Sequence, residues 1–100
     1  MRHDTVMDVE RRIKHLLETR VGVGPDRIAY AGPETPLLEQ GIALDSVEAF
    51  ELACALEEEF RFELGADEFS ASTFRTIGTL TSVIVAKLGS QAARSAARRS

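Results

Sequence analysis

The chain has 100 residues, of which 44% are hydrophobic and 28% are charged, and its formal net charge is −4. These values are typical of one soluble globular domain with a modest core, and they exclude the disordered and membrane-spanning classes. No apolar run approaches the roughly 20 residues that span a bilayer, and no signal peptide is expected, because acidic residues follow soon after Met1 with no apolar run behind them. The single cysteine, Cys54, cannot form an internal disulfide, which favours a reducing cytoplasm.

A first helix is predicted from Thr5 to about Thr19. Thr5 and Asp8 have the spacing of a capping box, in which two side chains satisfy backbone N–H groups at the start of a helix. The apolar residues that recur at helical spacing, and that should face the core, are Val6, Val9, Ile13, Leu16 and Leu17.

The stretch from Val21 to Leu44 is predicted to be a long first loop, because it contains all three prolines and four of the seven glycines. A connection of this length is unusual in a compact domain and is often functional. The apolar residues that should hold it against the helices are Ile28, Leu37, Leu38, Ile42 and Leu44.

A second main helix is predicted to run as far as Phe60, with Asp45 as its N-cap. Residues 46–60 contain no glycine or proline, and all of them are compatible with a helix. Glu48 follows Asp45 at the spacing of a capping box. The hydroxyl of Ser46 therefore lies in the first turn, is not needed as the cap, and is free to carry a covalent group.

The apolar residues of this helix fall on two faces. An ordinary core stripe is formed by Ala49, Leu52, Ala53, Leu56 and Phe60. Val47, Phe50 and Cys54 form a second apolar patch, with Glu51 and Glu58 alongside it. Because a helix in a small bundle needs only one buried face, the second patch indicates a docking surface with a charged rim.

Residues 61–75 have no sustained apolar period, so they are predicted to form a loop with one short helical turn between Ala66 and Phe74. Thr76 can cap a last helix. The buried stripe of that helix is predicted to be Ile77, Leu80, Ile84 and Leu88.

The basic tail, residues 89–100, has nothing apolar to bury and is predicted to be disordered. Residues 1–88 are predicted to form a single domain. The expected fold is all-α, a small four-helix bundle with three main helices, one short helix and a long first loop.

The charge is unevenly distributed along the chain. Residues 45–68 contain nine acidic residues and one basic residue, a net charge of −8, which leaves +4 for the remainder. A field of this sign repels nucleic acid and attracts basic protein surfaces. The helix after Ser46 is therefore predicted to steer protein partners, and no nucleic acid is expected among them.

The residues around Ser46 resemble the signature of the acyl carrier proteins. The resemblance rests on Gly41-x-x-Leu44-Asp45-Ser46-Val47, Glu51-Leu52 and Ala55-Leu56-Glu57-Glu58-Glu59-Phe60, and Thr76-Ile77-Gly78-Thr79-Leu80 is similar to the family's closing element. It implies that a phosphopantetheinyl transferase attaches the 4′-phosphopantetheine arm of coenzyme A to Ser46, which Asp45 flanks. The attachment needs no catalytic residue of this chain's own.

The resemblance implies a carrier rather than an enzyme. We expect a discrete carrier, since the sequence begins with Met1 and shows no flanking domain, and a monomer, since a shuttle presents one face to many partners in turn. Such a carrier shuttles thioester-bound acyl intermediates between enzymes of polyketide, other secondary-metabolite or fatty-acid-type synthesis. Acyl-loading and acyl-processing enzymes with basic docking surfaces would be its partners. The residues expected to meet these partners or the arm are Val47, Glu48, Phe50, Glu51, Cys54 and Glu58.

Two other interpretations remain open from the residues. The same serine would serve a peptidyl or aminoacyl carrier, and an unmodified helical interaction domain also fits a serine at the start of a helix. A serine hydrolase does not fit, because there is no G-x-S-x-G elbow and the only histidines, His3 and His15, belong to the N-terminal segment.

Overall fold

The computed structural model describes residues 2–38 and 40–99, and side chains within residues 5–38 and 40–91. The helices are α1 (Arg2–Leu16), α2 (Pro25–Ile28), α3 (Ser46–Phe60) and α4 (Ile77–Arg99), and a π-helical segment, Leu17–Val21, extends α1. The described residues contain no strand, only an isolated bridge between Pro36 and Thr76. The predicted all-α bundle, with three main helices and one short helix, is confirmed.

The first helix buries one face and ends at a left-handed glycine. Gly22 has φ of +88°, and the N–H of Val23 donates to the carbonyl of Leu17 at 2.9 Å, which closes the last turn. Four of the five predicted core residues of this helix are buried, namely Val9, Ile13, Leu16 and Leu17. The prediction for Val6 was wrong: it is 39% exposed, since it lies one turn before Val9, where the α1 part of the core begins.

The core lies between the three long helices and the first loop. Helix α1 packs mainly on α4, and the π-helical segment packs on α3. The predicted stripe of α3 is confirmed, because Ala49, Leu52, Ala53, Leu56 and Phe60 are all buried. In α4, Ile77, Leu80 and Ile84 are fully buried and Leu88 is partly buried.

The long first loop is held tightly rather than free. Four of its apolar residues, Ile28, Leu37, Ile42 and Leu44, are buried, and Leu38 is partly buried against the core. The N–H of Gly78 at the start of α4 donates to the carbonyl of Pro33 at 2.7 Å, and a Cβ at that glycine would lie 2.7 Å from the same oxygen. The loop can therefore approach α4 closely only because residue 78 has no side chain.

The short helix is in a different place from the prediction. It is α2 in the first loop, where Pro25 at the first helical position has its φ preset for a helix. Residues 66–74 form turns instead. Side chains compete there for the backbone, since Glu68 accepts from the N–H of Gly65 and the Ser70 hydroxyl accepts from the N–H of Thr73.

Helix α4 starts as predicted but ends much later. The N–H of Thr79 donates to the Thr76 hydroxyl at 3.0 Å, which confirms Thr76 as the cap. Residues 89–99, which the sequence predicts to be disordered, are described as a continuation of the helix. Alanine, arginine and glutamine are strong helix formers, and adding residues to an existing helix avoids the cost of nucleation. None of the helices in the described part of the chain is long and apolar enough to cross a membrane.

Residues 61–76, which connect α3 to α4, form the second loop, and an ion pair fastens this loop to α4. The carboxylate of Glu68 accepts from Lys87 Nζ at 2.8 Å and from the N–H of Gly65 at 2.9 Å. The hydrogen bond from Lys87, followed by that from Gly65, lowers the pKa of Glu68. The pair therefore adds stability above the pKa of this carboxyl in the unfolded chain, and that contribution is lost as the pH falls through its lower pKa in the folded protein.

We expect Glu68→Gln to lower the free energy of unfolding at pH 7 by up to about 1 kcal/mol, because the pair is partly solvated. The cost should disappear as the pH is reduced to about 3. Urea unfolding across this pH range measures it. Glu63→Gln is the matched control, since Glu63 is exposed and has no ion-pair partner among the described residues. Equal pH profiles for the two variants would contradict the role of the pair.

Candidate functional site

The start of α3 is fixed by a capping box. The Asp45 carboxylate accepts from the N–H of Glu48 at 2.7 Å, and the Glu48 carboxylate accepts from the N–H of Asp45 at 3.1 Å. The predicted arrangement is therefore confirmed. Asp45 is the residue that satisfies the first turn, so the neighbouring serine has no part in capping.

Ser46 is the first residue of α3 and is exposed. Its hydroxyl has no hydrogen-bond partner among the residues that the structure describes. The N-terminus of a helix offers unpaired N–H groups and the positive end of the helix dipole, which stabilise an anion. A phosphodiester on the Ser46 oxygen would therefore fit here, with room to reach solvent.

The segment that leads into Ser46 has an unusual backbone. Gly41 and Ala43 both have positive φ, 66° and 56° respectively. The segment is held by N–H donation from Ile42 to the Pro36 carbonyl at 3.0 Å and from Leu44 to the Leu37 carbonyl at 2.8 Å. These hydrogen bonds fix the entry of the chain into α3 and hence the position of the serine.

Arg27, in α2, also holds this segment, because its guanidinium donates to the carbonyl of Ile42. No pattern in the sequence signals this contact. An arginine in a loop is ordinarily a surface residue, and nothing local connects position 27 with a carbonyl fifteen residues later.

A largely apolar cleft of about 680 Å³ opens beside Ser46. We call it the Ser46 cleft, and it is lined by Leu38, Leu44, Asp45, Ser46, Ala49, Phe50, Phe69, Ser70, Ala71 and Phe74. Phe69 makes edge-to-face contacts with Phe50 and with Phe74, at centroid distances of 6.1 and 5.4 Å. Such pairs are favourable ring geometries and hold the wall of the cleft in place.

Phe69 and Phe74 were missed as site residues. They belong to the segment without apolar period, so the sequence offered no face on which to place them. Only the packing of the second loop against α3 brings them to Ser46.

The predicted apolar patch on α3 is open at one end and covered at the other. Val47 is 68% exposed and Phe50 is 58% exposed, although Phe50 also touches Phe69. Cys54 is half-buried and lines a smaller cavity of about 190 Å³ with Leu64 of the second loop. Val47 and Phe50 are therefore available to a partner, whereas Cys54 is partly covered by the chain itself.

The carboxylates of α3 differ in how far they are already engaged. Glu58 pairs with Arg20 at 2.9 Å, and Glu48 belongs to the capping box. Glu51 is exposed and has no hydrogen-bond or ion-pair partner among the described side chains. Of the three acidic residues expected to meet partner enzymes, Glu51 is the one that a partner could contact without breaking an internal interaction.

The acidic run that closes α3 also has internal partners. Glu59 pairs with Arg12 at 2.7 Å, and the Glu57 carboxylate accepts from the N–H of Leu64 at 2.8 Å. These two carboxylates therefore connect α3 to α1 and to the second loop, and they stabilise the fold.

Residues 5–38 and 40–91 contain no cluster of side chains suited to holding a metal ion. His15 is exposed on α1 and makes no side-chain contact with Ser46, and the side chain of His3 lies outside the described residues. None of the described side chains is hydrogen-bonded to the Ser46 hydroxyl as a general base would be.

A family model described as a phosphopantetheine attachment site matches residues 11–84. The match covers nearly three quarters of the chain and includes α3, the segment before it and the first turns of α4. The comparison with solved structures gave no match.

Proposed function

We propose that Ser46 is the residue that carries the covalent cofactor of this protein. The chain belongs to the phosphopantetheine attachment-site family, and its covalent cofactor is 4′-phosphopantetheine. One observation carries the proposal. Ser46 is an exposed serine at the N-terminus of a long helix, and a neighbouring aspartate performs the capping that would otherwise occupy its hydroxyl.

In the attachment reaction, the Ser46 oxygen is the nucleophile. It forms a bond to the β-phosphorus of coenzyme A while the pyrophosphate bond breaks and 3′,5′-ADP leaves. The hydroxyl proton passes to a base of the transferase, which also holds the magnesium ion, so this chain needs no base beside its serine. The phosphodiester would then lie at the N-terminus of α3, where the helix dipole favours a negative charge.

The attached arm ends in a thiol that holds acyl groups as thioesters. The protein's own contribution is to present this arm and a recognition surface to successive enzymes. We propose a cytoplasmic, monomeric carrier of polyketide, other secondary-metabolite or fatty-acid-type synthesis. Val47, Phe50 and Glu51 form the surface that basic docking sites on these enzymes would contact.

Intact-mass spectrometry after incubation with coenzyme A, magnesium and a broad-specificity phosphopantetheinyl transferase tests the attachment. The protein should gain one phosphopantetheinyl unit. Trypsin cleavage after Arg27 and Arg61 gives the peptide 28–61, in which Ser46 is the only serine, so the gain should appear in that peptide. No gain, with a transferase that loads another carrier protein in parallel, would favour the unmodified interaction domain.

Charge reversal at Glu51, which has no ion-pair partner among the described residues, should slow the loading of Ser46 more than charge reversal at Glu58, which pairs with Arg20. We expect Glu51→Lys to reduce kcat/KM of the transferase about fivefold at low ionic strength, with recovery at high salt, since attraction between exposed charges is screened. Glu58→Lys is the matched control on the same helix and should have a smaller effect, because Glu58 already faces Arg20. Kinetics of mass gain measure both, and equal losses would contradict a distinct role for Glu51.

A further inference from the structure

A second cleft, of about 670 Å³, lies next to the Ser46 cleft between the two loops. The two clefts share Leu38 and Ala71 as lining residues, so they are adjacent at these side chains, and we call the pair the groove. We call the second one the Arg75 cleft. It leads away from Ser46 towards the start of α4, where Thr76 is also part of its wall.

The chemistry of the wall changes from one cleft to the other. Three phenylalanines dominate the Ser46 cleft, whereas the polar side chains of Gln40, Ser72 and Thr76 join Arg75 in the second cleft. A molecule that fills both must therefore be apolar in one part and able to accept hydrogen bonds, or to carry negative charge, in the other.

Arg75 is the charged group that distinguishes the second cleft. Its side chain is exposed and has no hydrogen-bond or ion-pair partner among the described residues. By contrast, Arg12, Arg20 and Lys87 all pair with carboxylates of this chain. The backbone at this position is fixed independently of the side chain, because the Arg75 carbonyl accepts from the N–H of Leu37 at 3.2 Å. The guanidinium, which has no internal partner, is therefore available to a carboxylate, which it can bind through two parallel hydrogen bonds.

We propose that the groove selects an acyl group with an apolar chain and a terminal carboxylate, and that Arg75 binds that carboxylate. The proposal names the class of cargo and rests on the proposed attachment at Ser46. The hydrocarbon part would lie against Phe50, Phe69 and Phe74, and the carboxylate would reach the guanidinium beyond Leu38. Glu34 also lines the Arg75 cleft but forms no ion pair with Arg75, so it opposes the bound carboxylate without neutralising the arginine.

Two acyl groups of equal chain length test this selection. The transferase is used to attach hexanoyl- and adipoyl-phosphopantetheine, which differ only in the terminal carboxylate, and intact mass verifies the loading. Proton–nitrogen NMR spectra then report on the Arg75 side-chain Nε–H and on the backbone amides of residues 71–76. Only the adipoyl form should shift the Arg75 signal, and the shift should diminish at high salt. Equal spectra for the two loaded forms in this region would overturn the proposal.

Two variants give opposite expectations. Arg75→Gln should lower the equilibrium constant for binding of the adipoyl group about fivefold and so remove the difference between the adipoyl and hexanoyl spectra. Glu34→Gln should raise the same equilibrium constant about fivefold. Because both residues are exposed, neither change should disturb the fold. A difference that survives Arg75→Gln would also overturn the proposal.

If the proposed attachment at Ser46 is wrong, the intact mass will not increase, and this result is independent of the NMR comparison. The soluble thioesters S-adipoyl-pantetheine and S-hexanoyl-pantetheine, titrated into the unmodified protein, then test the groove by itself. A preference for the adipoyl thioester that depends on Arg75 supports the groove, and equal chemical-shift changes with the two thioesters contradict it.

Discussion

Ser46→Ala is expected to abolish the gain in mass that the wild-type protein shows after incubation with coenzyme A and a phosphopantetheinyl transferase. The substitution removes the only oxygen that we propose as the nucleophile, so the loss should be complete rather than partial. The fold should be unaffected, because Ser46 is exposed and Asp45 makes the N-cap. Circular dichroism and urea unfolding should show a change of no more than about 0.5 kcal/mol.

Ser70→Ala is the matched control for this experiment. Ser70 lines the same cleft and accepts from the N–H of Thr73 in a turn of the second loop. This variant should still gain one phosphopantetheinyl unit in the peptide that contains Ser46. A full gain in the Ser46→Ala protein, or a loss in the Ser70→Ala protein with its fold intact, would place the attachment elsewhere.

Gly41→Ala should destabilise the protein by about 2 kcal/mol, since it forces an L side chain into a strained backbone conformation. Gly41 has φ of +66°, and a Cβ there would lie 2.7 Å from the carbonyl oxygen of Pro36. That oxygen is the acceptor for the N–H of Ile42, so relief of the clash would loosen a hydrogen bond that fixes the entry to α3. Urea unfolding measures the loss of stability, and slower loading of Ser46 should accompany it.

Ala43→Gly provides the opposite substitution two residues away. Ala43 also has a positive φ, +56°, but its side chain is exposed. Glycine adopts this conformation without strain, although it gains freedom in the unfolded chain, so the net change should be close to zero or stabilising by up to about 1 kcal/mol. Equal destabilisation by both substitutions would contradict the assignment of left-handed conformation and close packing to Gly41.

The features that could be read from the sequence are those whose causes are local. The buried stripe of α3 follows from the spacing of Leu52, Leu56 and their neighbours on one helix face. The capping box follows from the separation of Asp45 and Glu48, which meet through a single turn. The interpretation that the Ser46 hydroxyl is free follows from the predicted helix and its capping box.

The errors concern segments in which local signals compete or are weak. The helical turn expected after Ala66 is replaced by turns that side chains such as Glu68 stabilise, and the short helix forms at Pro25 instead. The tail is predicted to be disordered because it has no apolar face, whereas in the structure α4 continues through residues 89–99, where helix propensity is high and the helix is already nucleated.

The sequence by itself determined a helical bundle and one serine at a capped helix start, because periodicity and capping act over a few residues. Tertiary structure alone decided what surrounds that serine. Phe69, Phe74 and Arg75 reach the groove through the folding of the second loop, and Glu58 is engaged by Arg20 across 38 positions of the chain. Contacts between distant segments depend on how whole elements pack, and no short stretch of residues contains that information.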